Sequence, residues 1–223
     1  MFKKKYSYLN KDYNTHLYSG LIGKLMKINH NLMEKNNNLF DENTKILEIG
    51  AGTYPHINHI KHKFKSYDII DIDEGNMLKE YYKKNNFDIE FTKYDGIKIP
   101  FNDKKFDRII ISHCLEHISK PEIYLDEVIR VMNDQCILSI SLPTDPGILW
   151  RLCRYITKNF IQKKSYNLKN EEYDYINAIE HVNSIFNLET ILNNKLTKIS
   201  RINFPTFLPF HDINIFYIAD YKK

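Results

Sequence analysis

Lys45-Ile46-Leu47-Glu48-Ile49-Gly50-Ala51-Gly52-Thr53-Tyr54-Pro55 is the stretch on which the reading of this sequence turns. The residues before Gly50 read as a buried strand, because a short apolar run closed by glycine suits a strand covered on both faces. Pro55 suits the first turn of a following helix. Two glycines at a strand-to-helix turn let a backbone approach a ligand closely, and a helix N-terminus offers unpaired N–H donors. A dinucleotide fingerprint, Gly-x-Gly-x-x-Gly, would need its third glycine where Pro55 stands. What fits instead is an acid two residues ahead of the first glycine, Glu48 before Gly50. Such an acid repels a pyrophosphate and suits a cationic ligand. The plain alternative is a tight turn with no ligand.

Downstream, apolar runs alternate with helix-like stretches. Residues 67–71 read as a second strand, followed by a helical stretch through Met77 and Tyr81. Residues 88–93 read as a third strand and 106–111 as a fourth. Pro121 opens a helix with Ile123, Leu125, Val128, Ile129 and Val131 on a helical period, and 136–142 form a fifth strand stopped by Pro143. Strands alternating with helices imply right-handed βαβ units and a parallel sheet. Residues 14–36 read as one or two helices with Leu17, Leu21, Leu25, Ile28 and Leu32 on one face. Residues 146–194 read as mainly helical, and 196–203 and 213–218 as two last strands around Pro205 and Pro209. No internal repeat or low-complexity tract interrupts the pattern.

With 223 residues and 43% hydrophobic composition, the chain suits one domain with a sizeable core, and 13% aromatics exclude disorder as its main state. No apolar run is long enough for a membrane helix. Met1-Phe2-Lys3-Lys4-Lys5 is basic but no apolar stretch follows, so no signal peptide is expected. Cys114, Cys136 and Cys153 are odd in number and form no Cys-x-x-Cys pair, which argues against disulfides or zinc and for a reducing cytoplasm. The net charge of +4 is unevenly spread. Residues 1–44 carry seven basic and four acidic side chains, 45–145 carry fourteen and seventeen, and 146–223 carry eleven and seven.

Further landmarks follow the glycine loop in order. Asp71 ends the second strand, where an acid can bind both hydroxyls of a ribose. Asp95-Gly96 follows the third strand, Ile99-Pro100-Phe101 leads into Phe106-Asp107, and Leu115-Glu116-His117 follows the fourth. With these motifs in this order, the sequence resembles the class I S-adenosylmethionine-dependent methyltransferases, over about residues 44–143. The resemblance implies a Rossmann-like three-layer α/β/α sandwich, an α/β fold with a seven-stranded, mostly parallel sheet and a final antiparallel strand pair. Within a single domain, 1–43 would be N-terminal helices, 44–145 the cofactor-binding core, 146–185 a lid or acceptor insert, and 186–223 a C-terminal helix and strand pair. Glu48, Gly50, Ala51 and Gly52 would hold the methionyl part of S-adenosyl-L-methionine. Asp71 would accept hydrogen bonds from the ribose, Ile72 would pack on the adenine, and Asp95 and Gly96 would meet its amino group. Ser112 and His113 would lie near the reactive methyl. The family often has a third glycine where this chain has Tyr54. An acidic middle segment suits the sulfonium cation.

Methyl transfer is an in-line displacement, so the protein must position the acceptor and, for a hydroxyl, remove its proton. His113 is a candidate base, and so is His181 in Glu180-His181-Val182-Asn183; His117 is expected to brace the next helix. Arg151, Arg154, Asn183 and His211 are candidates for acceptor binding. His56, His59 and His62 drift around a helix with no acid or cysteine to complete a site, so a solvated helix face is expected there and no metal. Residues 148–164 carry Arg151, Arg154, Lys158, Lys163 and Lys164 without an acid, beside an apolar helical stripe. They read as a plain amphipathic helix, a lid over an anionic acceptor, or a membrane-surface helix. Residues 142–154 with 180–183 are also similar to methyltransferases associated with bacterial surface polysaccharides. The expected acceptor is accordingly a small anionic or sugar-type molecule, such as a phosphorylated glycan precursor, methylated on oxygen. Basic flanks around an acidic middle suggest a site with a cationic donor half and an anionic acceptor half.

Three other readings compete. RNA or protein methylation is permitted by the pI near 8.7, but no RNA-binding extension is present and Ser112-His113-Cys114 stands where many amino-group methyltransferases carry Asn-Pro-Pro-Tyr. A cofactor-binding regulator without chemistry is the non-enzyme reading. A nicotinamide oxidoreductase is disfavoured by the missing third glycine.

Overall fold

The computed structural model describes residues 20–52, 54–72, 89–161 and 170–223. Its seven strands are β1 (Lys45–Ile49), β2 (Ser66–Asp71), β3 (Ile89–Lys93), β4 (Phe106–Ser112), β5 (Met132–Pro143), β6 (Thr197–Phe204) and β7 (Phe216–Lys222). They form one sheet in the order β3-β2-β1-β4-β5-β7-β6. The first five are parallel, and β7 runs antiparallel between β5 and β6. The helices are α1 (Gly20–Met33), α2 (Pro121–Val131), α3 (Ile148–Ile156), α4 (Asn170–Glu180) and α5 (Ile185–Lys195). This is the expected α/β sandwich with its closing antiparallel pair.

The central strands are apolar on both faces because both are covered. Leu47, Ile49, Ile109 and Ile111 pack with Leu125 and Val128 of α2 and Leu188 and Leu192 of α5. Ile46, Ile69 and Ile110 pack on the opposite face with Met26 and Met33 of α1. At ~25 cal/mol per Å² of apolar surface, these two layers supply most of the favourable free energy of folding. Among the described residues, no helix is long and apolar enough to cross a membrane.

Several elements depart from the sequence reading. The helix expected from Pro55 is a single 3-10 turn, His56–His59. The His56 N–H, which would open a helical ladder, instead donates to Glu48 Oε1 at 2.7 Å, and β2 begins at Ser66. Helix α1 covers the face that a longer crossover helix would have filled. Its buried side is rotated from the predicted stripe: Met26, Asn29, His30 and Met33 are buried while Ile28 is exposed. Leu17 and the stretch through Met77 and Tyr81 lie outside the described residues. β5 starts at Met132, four residues early, and the last strand starts at Phe216 because His211–Ile213 forms a 3-10 turn.

The histidines after the glycine loop do not form a solvated face. His56 is fully buried, with Nε2 2.8 Å from Glu34 Oε1 and Nδ1 2.8 Å from His30 Nδ1. Arg108 of β4, also fully buried, places NH2 2.7 Å from Glu34 Oε1 and donates from Nε to Ser139 Oγ at 3.2 Å. Burial alone would raise Glu34, but the His56 hydrogen bond and the Arg108 charge overcome it and hold the carboxyl at about 2. The buried arginine is thereby neutralised, which a charge in a closed interior requires.

Candidate active site

In this sheet the order reverses between β1 and β4, and ligands of open α/β sheets bind in the crevice at such a switch point, beyond the carboxyl ends of the strands. Gly50–Gly52 leave β1 there. Gly50 has φ +71°, and a Cβ on it would fall 2.5 Å from Cys114 Sγ, so the loop closes against β4 only because that atom is missing. Gly52 has φ +55°, and a Cβ there would meet nothing within 4 Å, so the loop opens onto space.

Asp71, at the end of β2, is nearly buried and accepts the Gly52 N–H on Oδ2 at 3.0 Å. Next to it Ile72 is 58% exposed, an apolar shelf beside Gly96, whose Cβ would reach to 3.0 Å of Ile72 Cγ2. Asp95 Oδ1 accepts from the N–H groups of Ile97 and Lys98, at 2.8 and 2.9 Å, and these hold its carboxyl below the usual carboxylate range. An open loop, a carboxylate and an apolar shelf in sequence fit the sulfonium, ribose and adenine parts of S-adenosylmethionine. Glu48 behaves differently. It is buried, and its oxygens accept from the His56 N–H and, at 2.6 Å, the Tyr67 hydroxyl. Burial pushes its carboxyl up to about 7. Glu48 braces the loop from beneath; Gly50, Ala51 and Gly52 form the loop itself.

Across the crevice, Ser112 and His113 end β4. His113 has φ +50°, a region that His tolerates better than most side chains, and its N–H donates to Ser141 O at 3.0 Å. Its ring stands edge-on to Phe216 at 5.4 Å. Asn29 of α1 reaches into this site. Its Oδ1 accepts from Ser141 Oγ at 2.6 Å, and its Nδ2 lies 3.3 Å from His113 Nε2. An amide so held presents N–H to Nε2, which is then the ring's lone-pair nitrogen, with the proton on Nδ1. His113 Nδ1 lies 3.6 Å from Glu116 Oε1. Burial would raise the Glu116 carboxyl, but His113 and His117 outweigh it and hold it low. A carboxylate behind one ring nitrogen, with a single amide on the other, is an arrangement that becomes a general base when an acceptor displaces that amide.

Around this pair lie His117, with Nε2 3.8 Å from Glu116 Oε1 and Nδ1 2.7 Å from the Glu180 carbonyl, and His181, edge-on to His117 at 5.1 Å. His181 Nδ1 lies 3.2 Å from Asp145 Oδ2, and Trp150 stacks beside its ring at 6.1 Å. His117 therefore braces the end of α4 rather than the expected helix, α2, that follows it. Arg154 is brought to the same place but pairs with Asp145 at 3.3 Å, and Arg151 is exposed on α3.

Two predicted acceptor residues are placed elsewhere. Asn183 Nδ2 is directed at the carbonyls of Leu115, Glu116 and Ile118, the last at 2.6 Å, clamping 180–183 onto the turn after β4. His211 is buried, with Nε2 2.6 Å from Glu189 Oε2 on α5. Their polar groups are committed to the framework. Asn29, Glu116, Asp145 and Trp150 were missed. Glu116 sat in a motif already noted, whereas Asn29 comes from an amphipathic helix in which a buried amide has no sequence signal. Among the described residues, no cluster of histidine, cysteine or carboxylates is arranged to hold a metal ion.

Residues 47–140 match a protein family described as a methyltransferase domain. A demethylmenaquinone methyltransferase of Paenarthrobacter aurescens is 29% identical over 108 residues, 48% of this chain and 42% of that protein. The chain spans less than half the length of the curated relatives it matches. Among solved structures, the N-methyltransferase NodS of Bradyrhizobium japonicum in complex with S-adenosyl-L-homocysteine has a TM-score of 0.60 at 15% identity, covering 87% of this chain and 85% of that one. The [4+2]-cyclase SpnF is similar at TM-score 0.64 and 12% identity, covering 88% and 80%. These likenesses establish the fold; a fold of this kind serves more than one reaction.

Proposed function

We propose that this chain, whose residues 47–140 match a methyltransferase domain family, is a class I S-adenosylmethionine-dependent enzyme that methylates a hydroxyl of a small polar acceptor. The observation that carries this reading is the His113–Glu116 pair just past the carboxyl end of β4, the strand that pairs with β1 at the switch point. S-adenosylmethionine supplies a methyl group already activated for displacement. The chain's part is to bind, align and deprotonate. Gly50, Ala51 and Gly52 cradle the donor's methionyl end, Asp71 accepts from the ribose hydroxyls, Ile72 carries the adenine, and Asp95 with Gly96 meets its edge. The acceptor hydroxyl takes the place of the Asn29 N–H at His113 Nε2, and the freed lone pair removes its proton as the oxygen bonds to the methyl carbon. Glu116 fixes the ring from the Nδ1 side, and Asn29 holds Nε2 until the acceptor enters.

A sugar-type acceptor such as a surface-glycan precursor is favoured over a strongly anionic one. Arg154 is offset by Asp145, and Glu116 adds a further negative charge; Arg151, exposed on α3, is a cation available to a phosphate on such a precursor. His181, held between Asp145 and Trp150, lines the acceptor side and is the second candidate base. The test is transfer of labelled methyl from S-adenosylmethionine to a panel of sugar phosphates, nucleotide sugars, amines and RNA. Transfer to a hydroxyl acceptor is expected, with His113→Ala lowering kcat by ~10²–10⁴ while cofactor binding is retained. Transfer to amines or RNA alone, or an unaffected His113→Ala, would overturn the reading.

A further inference from the structure

We propose that the face built from α3 and the connection between β6 and β7 docks on a lipid surface carrying anionic headgroups. On α3, Ile148, Leu152, Tyr155 and Ile156 are all exposed. Their spacing puts them on one stripe of the helix, turned outward, while Leu149, Trp150 and Cys153 pack inward. The β6–β7 connection adds Phe207, Leu208 and Phe210, at 61%, 51% and 62% exposure. The two parts meet. Gly147, at the start of α3, lies so close to the His211 carbonyl that a Cβ would stand 2.7 Å from it. Phe186, itself exposed, packs edge-on to the His211 ring at 5.3 Å. An apolar surface of this extent on a monomer marks an interaction site.

Charge identifies the occupant. Residues 148–164 carry five cations and no acid, and 202–211 carry no charge at all. Arg154 and Lys158 are engaged by Asp145 and Asp174, and Asp212 follows the uncharged stretch, but Arg151 stays exposed beside the stripe. Leucine and aromatic side chains next to a segment of net positive charge complement the acyl boundary and phosphates of an anionic bilayer. A second copy of the chain is a poorer occupant, because a twofold interface sets the same patch against itself and so opposes cation to cation.

The face also communicates with the site. His113 touches Phe216 at 5.4 Å, Phe216 stacks on Phe204 at 6.3 Å, and Phe204 meets Phe207 at 6.1 Å. Docking at Phe207 would bring the acceptor side against the lipid, where an amphiphilic acceptor is concentrated. That consequence alone rests on the proposed activity; the docking does not.

Co-sedimentation of the whole chain with phosphatidylcholine vesicles, with and without phosphatidylglycerol, tests the proposal. The chain should pellet with the anionic vesicles, and high salt should release it. Phe207→Ser/Phe210→Ser and Leu152→Ser/Tyr155→Ser should each weaken partitioning at least about tenfold. Ile123→Ser, an exposed position on α2, should leave it unchanged, and unaltered melting temperatures would show that all variants fold. No pelleting with anionic vesicles, or equal pelleting of the patch variants and wild type, would overturn the proposal. So would a dimer that the patch variants abolish without any vesicle binding. S-adenosylhomocysteine binding, measured in parallel, reports on the methyltransferase reading separately.

Discussion

Gly50 and Gly52 show how two like residues in one loop answer to different constraints. Both adopt left-handed backbone, so either alanine substitution costs about 1 kcal/mol in conformation alone. At Gly50 the new methyl would collide with Cys114 Sγ at 2.5 Å, whereas at Gly52 it enters open space. Gly50→Ala should therefore lose at least about 2 kcal/mol of stability in denaturant titration. Gly52→Ala should lose about half that or less but weaken cofactor binding several-fold, because its methyl occupies the cradle. Equal effects of the two on binding and stability would contradict this division. Glu34 is the sharper case. Removing it in Glu34→Ala strands the fully buried Arg108, at an expected cost of about 3–5 kcal/mol, with Glu34→Gln intermediate. Sequence pattern gave access to the glycines, because a strand followed by Gly-x-Gly is a local signal. It gave none to Glu34, Asn29 or His30, whose partners Arg108, Ser141 and His56 are distant in the chain.

Helix α1 owes its docking to that polar cluster, and its stability should follow pH accordingly. Burial lowers His30 and His56 and takes half-buried His59 down to about 4. Groups depressed in the fold stabilise it above their unfolded value of 6.5 and lose that contribution as pH falls. Glu48, raised to about 7, has the opposite sign: its contribution grows on acidification from 7 to 4.5 and offsets part of the loss from the three histidines there. Below 4.5 Glu48 adds nothing more, while Glu34, held at about 2, withdraws about 3 kcal/mol as it titrates. The melting temperature should therefore begin to fall below pH 6.5 and fall steeply below 4.5, with amides of Gly20–Met33 losing hydrogen-exchange protection. An equally steep fall in Glu34→Gln would place the cause elsewhere. This element also marks where pattern reading slipped: an apolar stripe predicts a helix correctly but misjudges its buried side when polar residues have buried partners. The missing crossover helix after Pro55 has the same origin, since Glu48 captures the His56 N–H.

At the scale of the whole molecule, the alternation of apolar runs was enough to expect parallel strands joined by helices, because that follows from local periodicity and handedness; the closing antiparallel pair was implied by the family resemblance, and the strand order came only from the structure. The charge partition along the chain was a weaker guide. Asp145 meets Arg154 and Asp174 meets Lys158, so the basic insert is partly neutralised by acids from other segments. The proposed cofactor half rests on Gly50, Asp71 and Asp95, which the sequence marks because strand ends are local features; the proposed acceptor half depends on 112–117, 145–154 and 180–183 converging, which no single stretch encodes. What unites these scales is the proposal that the crevice between β1 and β4 is a donor site for S-adenosylmethionine. Equilibrium titration calorimetry with S-adenosylmethionine and S-adenosylhomocysteine measures this directly. Both should bind the whole chain, Asp71→Asn should weaken both at least about tenfold, and His113→Ala should leave S-adenosylhomocysteine binding within a few-fold; no binding of either ligand to the folded protein would contradict the account.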